Sequence, residues 1–462
     1  MKNRRLSRRT FLKSAAGTGL LLGAGGNLTR VFAQDEEPLE LPQGAAGKLT
    51  VIHRTEYFKE VEDLFRQNAV AFADANGIEL DISTANPEMF GDFTAKMLAA
   101  VQAGNPPDLA YTTLSVPQLH ALGLLEDVSD VVQILTEKYG AIVPQQASKF
   151  AMLDGKWWAV PFMSQAAGWF ARKDIFEAAG IDVNTLDTWD ARRDAALEVS
   201  DPDNQLWGWG VTVNRSGDGH GFIIAVIQGF GGSFTDETGM KVTFDSPETL
   251  AAVEWLAETY TSEKYRPMLP PGIESWTDSS NNEAYLAGTI ALTQNAASVY
   301  AKAKADGNPV YENTAILHVP KTLNGELFEG GSNGWLTIFK GSQNVDAAKQ
   351  LIQALLEPAA FTPMAQLGGG LFLPAYENLW TDELRAIDPN FSVLEEIVFN
   401  PFVYNGISHP AEPNAAIDAI LAASIPSQMM ADITTGRRTP AEAVKDAHNK
   451  IVAIFEEGGI MQ

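Results

Sequence analysis

The sequence predicts an α/β fold divided into two domains. Three observations lead there. Short β-branched apolar runs alternate with amphipathic segments of helix length. Gly, Pro and Asn punctuate the boundaries between them. The chain, at 462 residues, is longer than one hydrophobic core supports.

The alternation begins at Lys48–His53, a β-branched run read as a first strand. Val61 to Asn76 spaces Val61, Leu64, Phe65, Ala69 and Phe72 as one helical face and stops at Asn76-Gly77. Ile78–Ser83 reads as a strand. Phe93–Ala103 reads as a helix, broken by Gly104-Asn105-Pro106-Pro107, and Asp108–Tyr111 as a third strand. Strand, helix, strand, helix, strand is the βαβ pattern, which predicts a mostly parallel sheet with helices on its faces.

The later pattern is looser. Ala166–Ala171 reads as a strand and Lys173–Ala179 as a helix ended by Gly180. Thr188 is placed to cap the helix opening at Trp189. Ser246 caps a helix running to Tyr260, with Pro247 at its first position. Thr289–Thr293 and Trp335–Phe339 read as strands, and Asn344–Leu356 as a helix. Thr439-Pro440-Ala441-Glu442 carries the capping-box pattern of a last helix. No internal repeat or heptad array is present.

Composition removes several function classes. The formal net charge is −25, which opposes binding to nucleic acid or to an anionic membrane surface. The chain has no cysteine, so disulfides, thiol catalysis, iron–sulfur clusters and a lipidated cysteine are excluded. Its six histidines, His53, His120, His220, His318, His409 and His448, are scattered. None makes the His-Glu-x-x-His spacing of a zinc hydrolase, so no metal site is expected.

The N-terminus carries an address. Ser7-Arg8-Arg9-Thr10-Phe11-Leu12-Lys13 precedes an apolar, glycine-rich run to Gly26, and Val31-Phe32-Ala33 offers a small-residue cleavage site before an acidic stretch. The paired arginines resemble a twin-arginine signal, which implies export of an already folded protein by the twin-arginine machinery. The expected localisation is the periplasm or the outer face of the cell membrane. The alternative is an uncleaved N-terminal anchor, although the apolar run is too short and too rich in Gly and Ala for a typical membrane span. Residues 34–47 read as a linker.

Several segments, in order, make the chain resemble the extracellular solute-binding proteins of ABC importers, in the sugar-binding branch typified by maltose- and glycerol-phosphate-binding proteins. They are Ala103-Gly104-Asn105-Pro106-Pro107-Asp108-Leu109, Trp158-Ala159-Val160-Pro161, and Lys173 to Ile181 with Thr188-Trp189-Asp190. Gly231-Gly232-Ser233-Phe234, Phe244 to Glu248, Gly288 to Leu292, Gly330 to Trp335 with Lys340-Gly341-Ser342, and Thr439 to Ala443 complete the set. The resemblance spans nearly all of the chain after the signal.

It implies a two-lobe periplasmic binding protein fold of type II, with a hinged cleft between α/β lobes. Lobe one is expected at 48–164 plus 335–393 and lobe two at 165–330 plus 404–462. The crossings are expected near 163–166, 331–334 and 399–404. The implied partners are a small carbohydrate and an inner-membrane ABC permease. A monomer without cofactor, metal or catalysis is expected.

A sugar presents polar edges and flat C–H faces, so its site needs planar hydrogen-bonding side chains around aromatic platforms. Ten tryptophans are available. In open α/β sheets ligands bind beyond the carboxyl ends of strands. That rule selects His53, Arg54, Glu56 and Tyr57 after the first strand, and Tyr111 and Thr112 after the third. It also selects the loop after Thr293 with Asn295, Ser298 and Tyr300, where the resembling family places amide and aromatic contacts. The crossings add Gln165, Asn333, Trp335 and Tyr404. Trp276 lies in a polar stretch with no apolar periodicity to explain it, and Trp209 sits on one face of a strand with core and cleft both open. Glu56, Asn295 and Asn333 are the expected hydroxyl partners, and Trp276, Tyr300 and Trp335 the expected stacking platforms.

Ser298 stands where tryptophan can occur in the family, and Ala171 where tyrosine is common, which leaves the sugar's identity open. A polyamine or a glycerol phosphodiester is the alternative ligand. The rival of another class is an exported hydrolase. Gly330-Gly331-Ser332-Asn333-Gly334 matches G-x-S-x-G, but that motif requires a helix after Ser332 and the next residues read as strand. A glycosidase with paired carboxylates has no local signature here.

Overall fold

The computed structural model describes residues 41–85, 90–401 and 407–460. The twin-arginine segment, the expected cleavage site and Tyr404 lie outside the described residues.

The first half-sheet follows the βαβ reading. Strand β1 (Lys48–Arg54), helix α1 (Lys59–Asn76), β2 (Glu79–Ala85), α2 (Phe90–Ala103) and β3 (Leu109–Thr112) follow one another. Both β2 and β3 pair with β1 in parallel. Helix α1 buries Val61, Phe65, Ala69 and Ala73 along one stripe. A fully buried side chain the size of Phe65 contributes roughly 1.5–3 kcal/mol. The helix ends where Gly77 adopts φ 64°, a left-handed conformation, while the amide of Ile78 donates to the Ala73 carbonyl at 2.9 Å.

Further elements used below are, in chain order, α3 (Val116–Ala121), β4 (Val160–Arg172), α4 (Trp189–Glu198), β5 (Trp207–Trp209), α5 (Gly217–Gly229), α6 (Pro247–Thr261), α7 (Ser280–Leu286) and β6 (Ile290–Ala296). Then come α8 (Ser298–Ala305), β7 (Thr314–Leu317), β8 (Gly330–Ile338), α9 (Val345–Leu355), α10 (Pro358–Leu367), β9 (Leu373–Pro374), α11 (Phe391–Phe399), α12 (Ala415–Ala422), α13 (Ile425–Thr434) and α14 (Pro440–Glu457). Side-chain caps begin three of the helices read from sequence. Thr188 accepts from the Ala191 amide and Ser246 from the Thr249 amide, and Thr439 and Glu442 close a full capping box.

The strand order is β2-β1-β3-β8-β4-β6-β5, with β7 and β9 also paired to β4. Two long strands link the halves. In β4, the start pairs with β8 while Ala167–Ala171 pairs with β6. In β8, Gly330–Gly334 pairs with β4 while Trp335–Ile338 pairs with β3. The two expected crossings therefore face each other in register, Gly331 against Ala166, Ser332 against Gln165 and Gly334 against Met163. Gly334 is required by proximity: a Cβ there would lie 2.7 Å from Tyr111 Cε2 and 2.9 Å from Met163 Cγ. Both linking strands pair antiparallel to their neighbours, so the sheet is mixed rather than mostly parallel.

Two large apolar clusters fill the interior, and the first runs on from the first half-sheet to Tyr285, Tyr300 and Phe391. Leu49, Val51, Phe65, Phe162, Leu336 and Leu351 belong to the first, under α1, α9 and α10. Trp169, Trp209, Phe222, Trp255 and Phe455 belong to the other. Asp388 accepts hydrogen bonds from Tyr300 and Lys304 of α8, and α11 packs on β4 and β7. The buried carboxylate has four donors, Tyr300, Lys304, Tyr311 and the Asn390 amide, which tie that stretch to α8. Of the expected crossing at 399–404, residues 402–404 lie outside the described residues.

The lobes also touch away from the linking strands. Helix α3 meets α12, where the Ser115 hydroxyl donates to Asp418, and Lys149 pairs with Glu412 at 3.4 Å.

Candidate functional site

A cavity of about 1310 Å³ lies between the lobes, and a second of about 510 Å³ adjoins it through Gln165, Asp218, Asn295 and Ala296. Its wall is built where strands end. Arg54 closes β1 and Tyr57 follows it. Asn295 and Ala296 close β6, and Asn214 to Asp218 lead from β5 into α5. Gln165 comes from the middle of the linking strand β4. Glu274 to Ser279, Asn282 and Ser298 complete the second-lobe side.

Short sequence rules set each part of this wall. The run Asn214-Arg215-Ser216 is held by the Asn214 side chain, whose Oδ1 accepts from the Ser216 amide at 2.9 Å. Its Nδ2 donates to the carbonyls of Glu274 at 3.0 Å and Trp276 at 2.6 Å. One asparagine thus fixes two loops, and with them the position of Trp276. Ser216 caps α5, which puts Asp218 in the helix's first turn.

Asn282, Asn295 and Ser298 form a closed hydrogen-bonded triangle. Asn295 donates to Asn282, Ser298 Oγ donates to Asn295 Oδ1 at 2.9 Å, and Asn282 Nδ2 donates to Ser298 Oγ at 3.2 Å. All three side chains line the cavity, so rotamers are set before any ligand arrives. Tyr57 is 44% exposed, uncommon for so large an apolar ring, and Trp276 is half-buried beside both cores.

The charges are unevenly matched. Arg54 Nε lies 3.4 Å from Glu56 Oε1, and Tyr111 donates to that same carboxylate at 2.6 Å. Burial pushes Glu56 up from the usual carboxylate range, against the pull of Arg54. Asp218 is pushed up to about 7, first by burial and then by the Asp278 carboxylate, while Asn281 donates to it at 2.8 Å. Glu274 and Arg215 make no side-chain hydrogen bond or ion pair among the described residues.

Of the residues selected from sequence, Arg54, Tyr57, Gln165, Trp276, Asn295 and Ser298 line the cavity. The others do not. His53 is buried against Phe65, bonded by Arg66 and by its own neighbour's carbonyl. Tyr111 packs between Phe65 and Phe162, and only its hydroxyl reaches outward, to Glu56. Glu56 is not among the lining residues and pairs with Arg54, which is. Thr112 is covered by its pairing with Trp335.

Trp335 was expected as a stacking platform but is 5% exposed, in an apolar cluster with Ile52, Ala110 and Phe339. The register shift between Gly334 and Trp335 turns the indole to the far face of the sheet. Asn333 is buried beside the Met163 carbonyl. Trp209 lies among Trp169, Phe222 and Trp255, with its indole donating to Tyr260 at 3.0 Å. Tyr300 is locked by Asp388 and Asn390. For the residues on strands, alternation matters: a side chain faces cleft or core according to parity, and proximity in sequence does not decide which, while Tyr300 lies in α8 and Glu56 in the loop after β1.

Sequence reasoning missed Asn214, Arg215, Asp218, Glu274, Asp278 and Asn282. The carboxyl-end rule, applied to the short strand around Trp207–Trp209, reaches the first three. Glu274, Asp278 and Asn282 carry no such signal, because Asn214 brings their loop in from 60 residues away.

Residues 67–387 match the model of the bacterial extracellular solute-binding protein family. The chain belongs to that family. Among curated proteins it is 25% identical over 186 residues to an arabinooligosaccharide-binding protein of Halalkalibacterium halodurans, and 24% identical over 169 residues to a maltotriose-binding protein of Pyrococcus abyssi. The first alignment spans 40% of either chain, and the second 36% of this chain and 34% of the other.

Solved structures share the fold more widely. An ABC transporter solute-binding protein of Thermotoga lettingae, bound with α-D-tagatose, superimposes with a TM-score of 0.72 over 89% of this chain and all of its own, at 19% identity. A maltose-bound protein of T. maritima superimposes at 0.71 over 87% of this chain and 98% of its own, also at 19% identity. The family member described here therefore has the two-lobe fold of type II periplasmic binding proteins. The G-x-S-x-G run lies inside the unbroken strand β8, where Ser332 Oγ donates to Gln165 at 2.7 Å, so it forms no strand–turn–helix elbow.

Proposed function

We propose that this protein is the substrate-capturing component of an ABC importer and that its ligand is a carbohydrate. One observation carries the reading: the interlobe cavity is walled by preset amides and hydroxyls, Gln165, Asn282, Asn295 and Ser298, next to the rings of Tyr57 and Trp276. Planar donors and acceptors suit the edges of a pyranose, and aromatic faces suit its C–H surfaces. The sugar-bound state of its structural neighbours and the names of its curated relatives support the same ligand class.

In this reading the lobes close on the sugar by bending β4 and β8, and the closed form is what an inner-membrane permease accepts. The protein works as a monomer outside the cytoplasm, delivered by the twin-arginine route, and releases its sugar unaltered. The carboxylates Asp218, Glu274 and Asp278 favour a second reading, a polyamine site.

Tryptophan fluorescence and thermal melting against mono- and oligosaccharides, glycerol phosphodiesters and polyamines test the proposal. A saturable response to one sugar, recovered chemically intact, is the expected outcome. A response to polyamines alone replaces the ligand class, and consumption of the sugar overturns the non-catalytic role.

A further inference from the structure

The cavity wall carries more acid than base. Three carboxylates line it, Asp218, Glu274 and Asp278. Two arginines line it as well, but Arg54 is matched by Glu56 at 3.4 Å. Arg215 alone is left against three acids. Asp278 Oδ1 accepts the Asp218 backbone amide at 2.9 Å, so the Asp278 carboxylate is held against the first turn of the helix that carries Asp218. Burial of Asp218 and then its repulsion with Asp278 push that carboxyl up to about 7, so it is still partly ionised at neutral pH.

A sugar hydroxyl can donate to a carboxylate, but it leaves the repulsion in place. A ligand ammonium removes it and makes charge-assisted bonds, roughly twice as strong as neutral ones. Trp276 lies in sequence between Glu274 and Asp278, and an indole face attracts both a pyranose C–H surface and a nearby cation. The triangle of Asn282, Asn295 and Ser298 on the same wall offers hydroxyl partners that a linear polyamine does not use.

We infer that the cavity takes a carbohydrate bearing a protonated amino group, the ammonium seated at Asp218 and Asp278 and the hydroxyls at the amide-lined side. This rests on the carbohydrate reading above and narrows it to one substrate class.

Calorimetric titration of the full chain tests it. The probes are 2-amino-2-deoxy and 2-hydroxy forms of gluco- and galacto-configured mono- and disaccharides, with spermidine alongside. The expected result is at least tenfold tighter binding of one amino form than of its hydroxy counterpart. That preference should shrink in 0.5 M NaCl and fall below about threefold in Asp278→Asn, whose amide oxygen still accepts from the Asp218 amide. Glu137→Gln, at an exposed side chain that lines neither cavity, removes an equal charge and should keep the preference, which separates the local site from the net charge of −25.

Equal or tighter binding of the hydroxy forms overturns the inference and leaves the carbohydrate reading standing. Binding of spermidine with no response to any sugar overturns both. No response to any amino sugar overturns the inference, and the wider ligand panel then decides the carbohydrate reading separately.

Discussion

Replacing Asp418 by Asn should stabilise the protein at neutral pH and lose that benefit in acid. Asp418 lies in the first turn of α12 and receives the Ser115 hydroxyl across the contact between lobes. Burial pushes its carboxyl up to about 6, and the Ser115 hydrogen bond only partly offsets this. From an ordinary value of 3.8, the ionised form then costs roughly 3 kcal/mol more in the fold than in the unfolded chain once pH exceeds 7.

The sign follows from proton uptake. Between pH 4 and pH 6 the native state holds the proton more tightly, so stability falls as pH rises through that window and is flat above it. Asparagine never ionises and still offers Ser115 an acceptor oxygen. Its loss of a favourable charge at the helix N-terminus costs about 0.5 kcal/mol, and residual water at the site reduces the gain further. A net gain of about 1–2 kcal/mol at pH 7.5 remains, which raises Tm by roughly 1–2 °C in a protein of this size. Differential scanning calorimetry at pH 7.5 and pH 4 reads it directly. A lower Tm at pH 7.5, or the same gain at both pH values, would refute the reasoning.

Three further outcomes follow from the geometry. Trp335→Ala should cost about 3–5 kcal/mol in urea unfolding, as a large core truncation, and a loss below 1 kcal/mol would return that indole to the cleft. Trp276→Ala should weaken binding of the identified ligand by about 1.5–3 kcal/mol in calorimetric titration, and an unchanged Kd removes it from the site. Gly208→Ala should lower Tm sharply, since its Cβ would lie 1.7 Å from the Ala196 carbonyl oxygen and the strand must move away from α4.

Local signals were legible in the sequence because they depend on nearest neighbours. The caps at Thr188, Ser246 and Thr439 and the glycine that ends α1 are set by hydrogen bonds within a few residues. Arg54, Tyr57, Asn295 and Ser298 could be selected because they follow strands, and strand ends in such sheets face a cleft. The same rule misled at His53, Tyr111 and Thr112, whose side chains turn inward or are covered by a neighbouring strand.

Charge, the absence of cysteine, the βαβ start and the places where the chain reverses were settled by the sequence alone, since each is a property of composition or of contiguous residues. Tertiary structure decided which aromatic residues are core and which are cleft. Trp209 and Trp335 are enclosed by residues far away in sequence, while Trp276 is carried to the cavity by hydrogen bonds from Asn214. It also decided the meaning of Asp218, because a carboxylate's protonation depends on burial and on Asp278 beside it, and neither distance exists until the two loops meet.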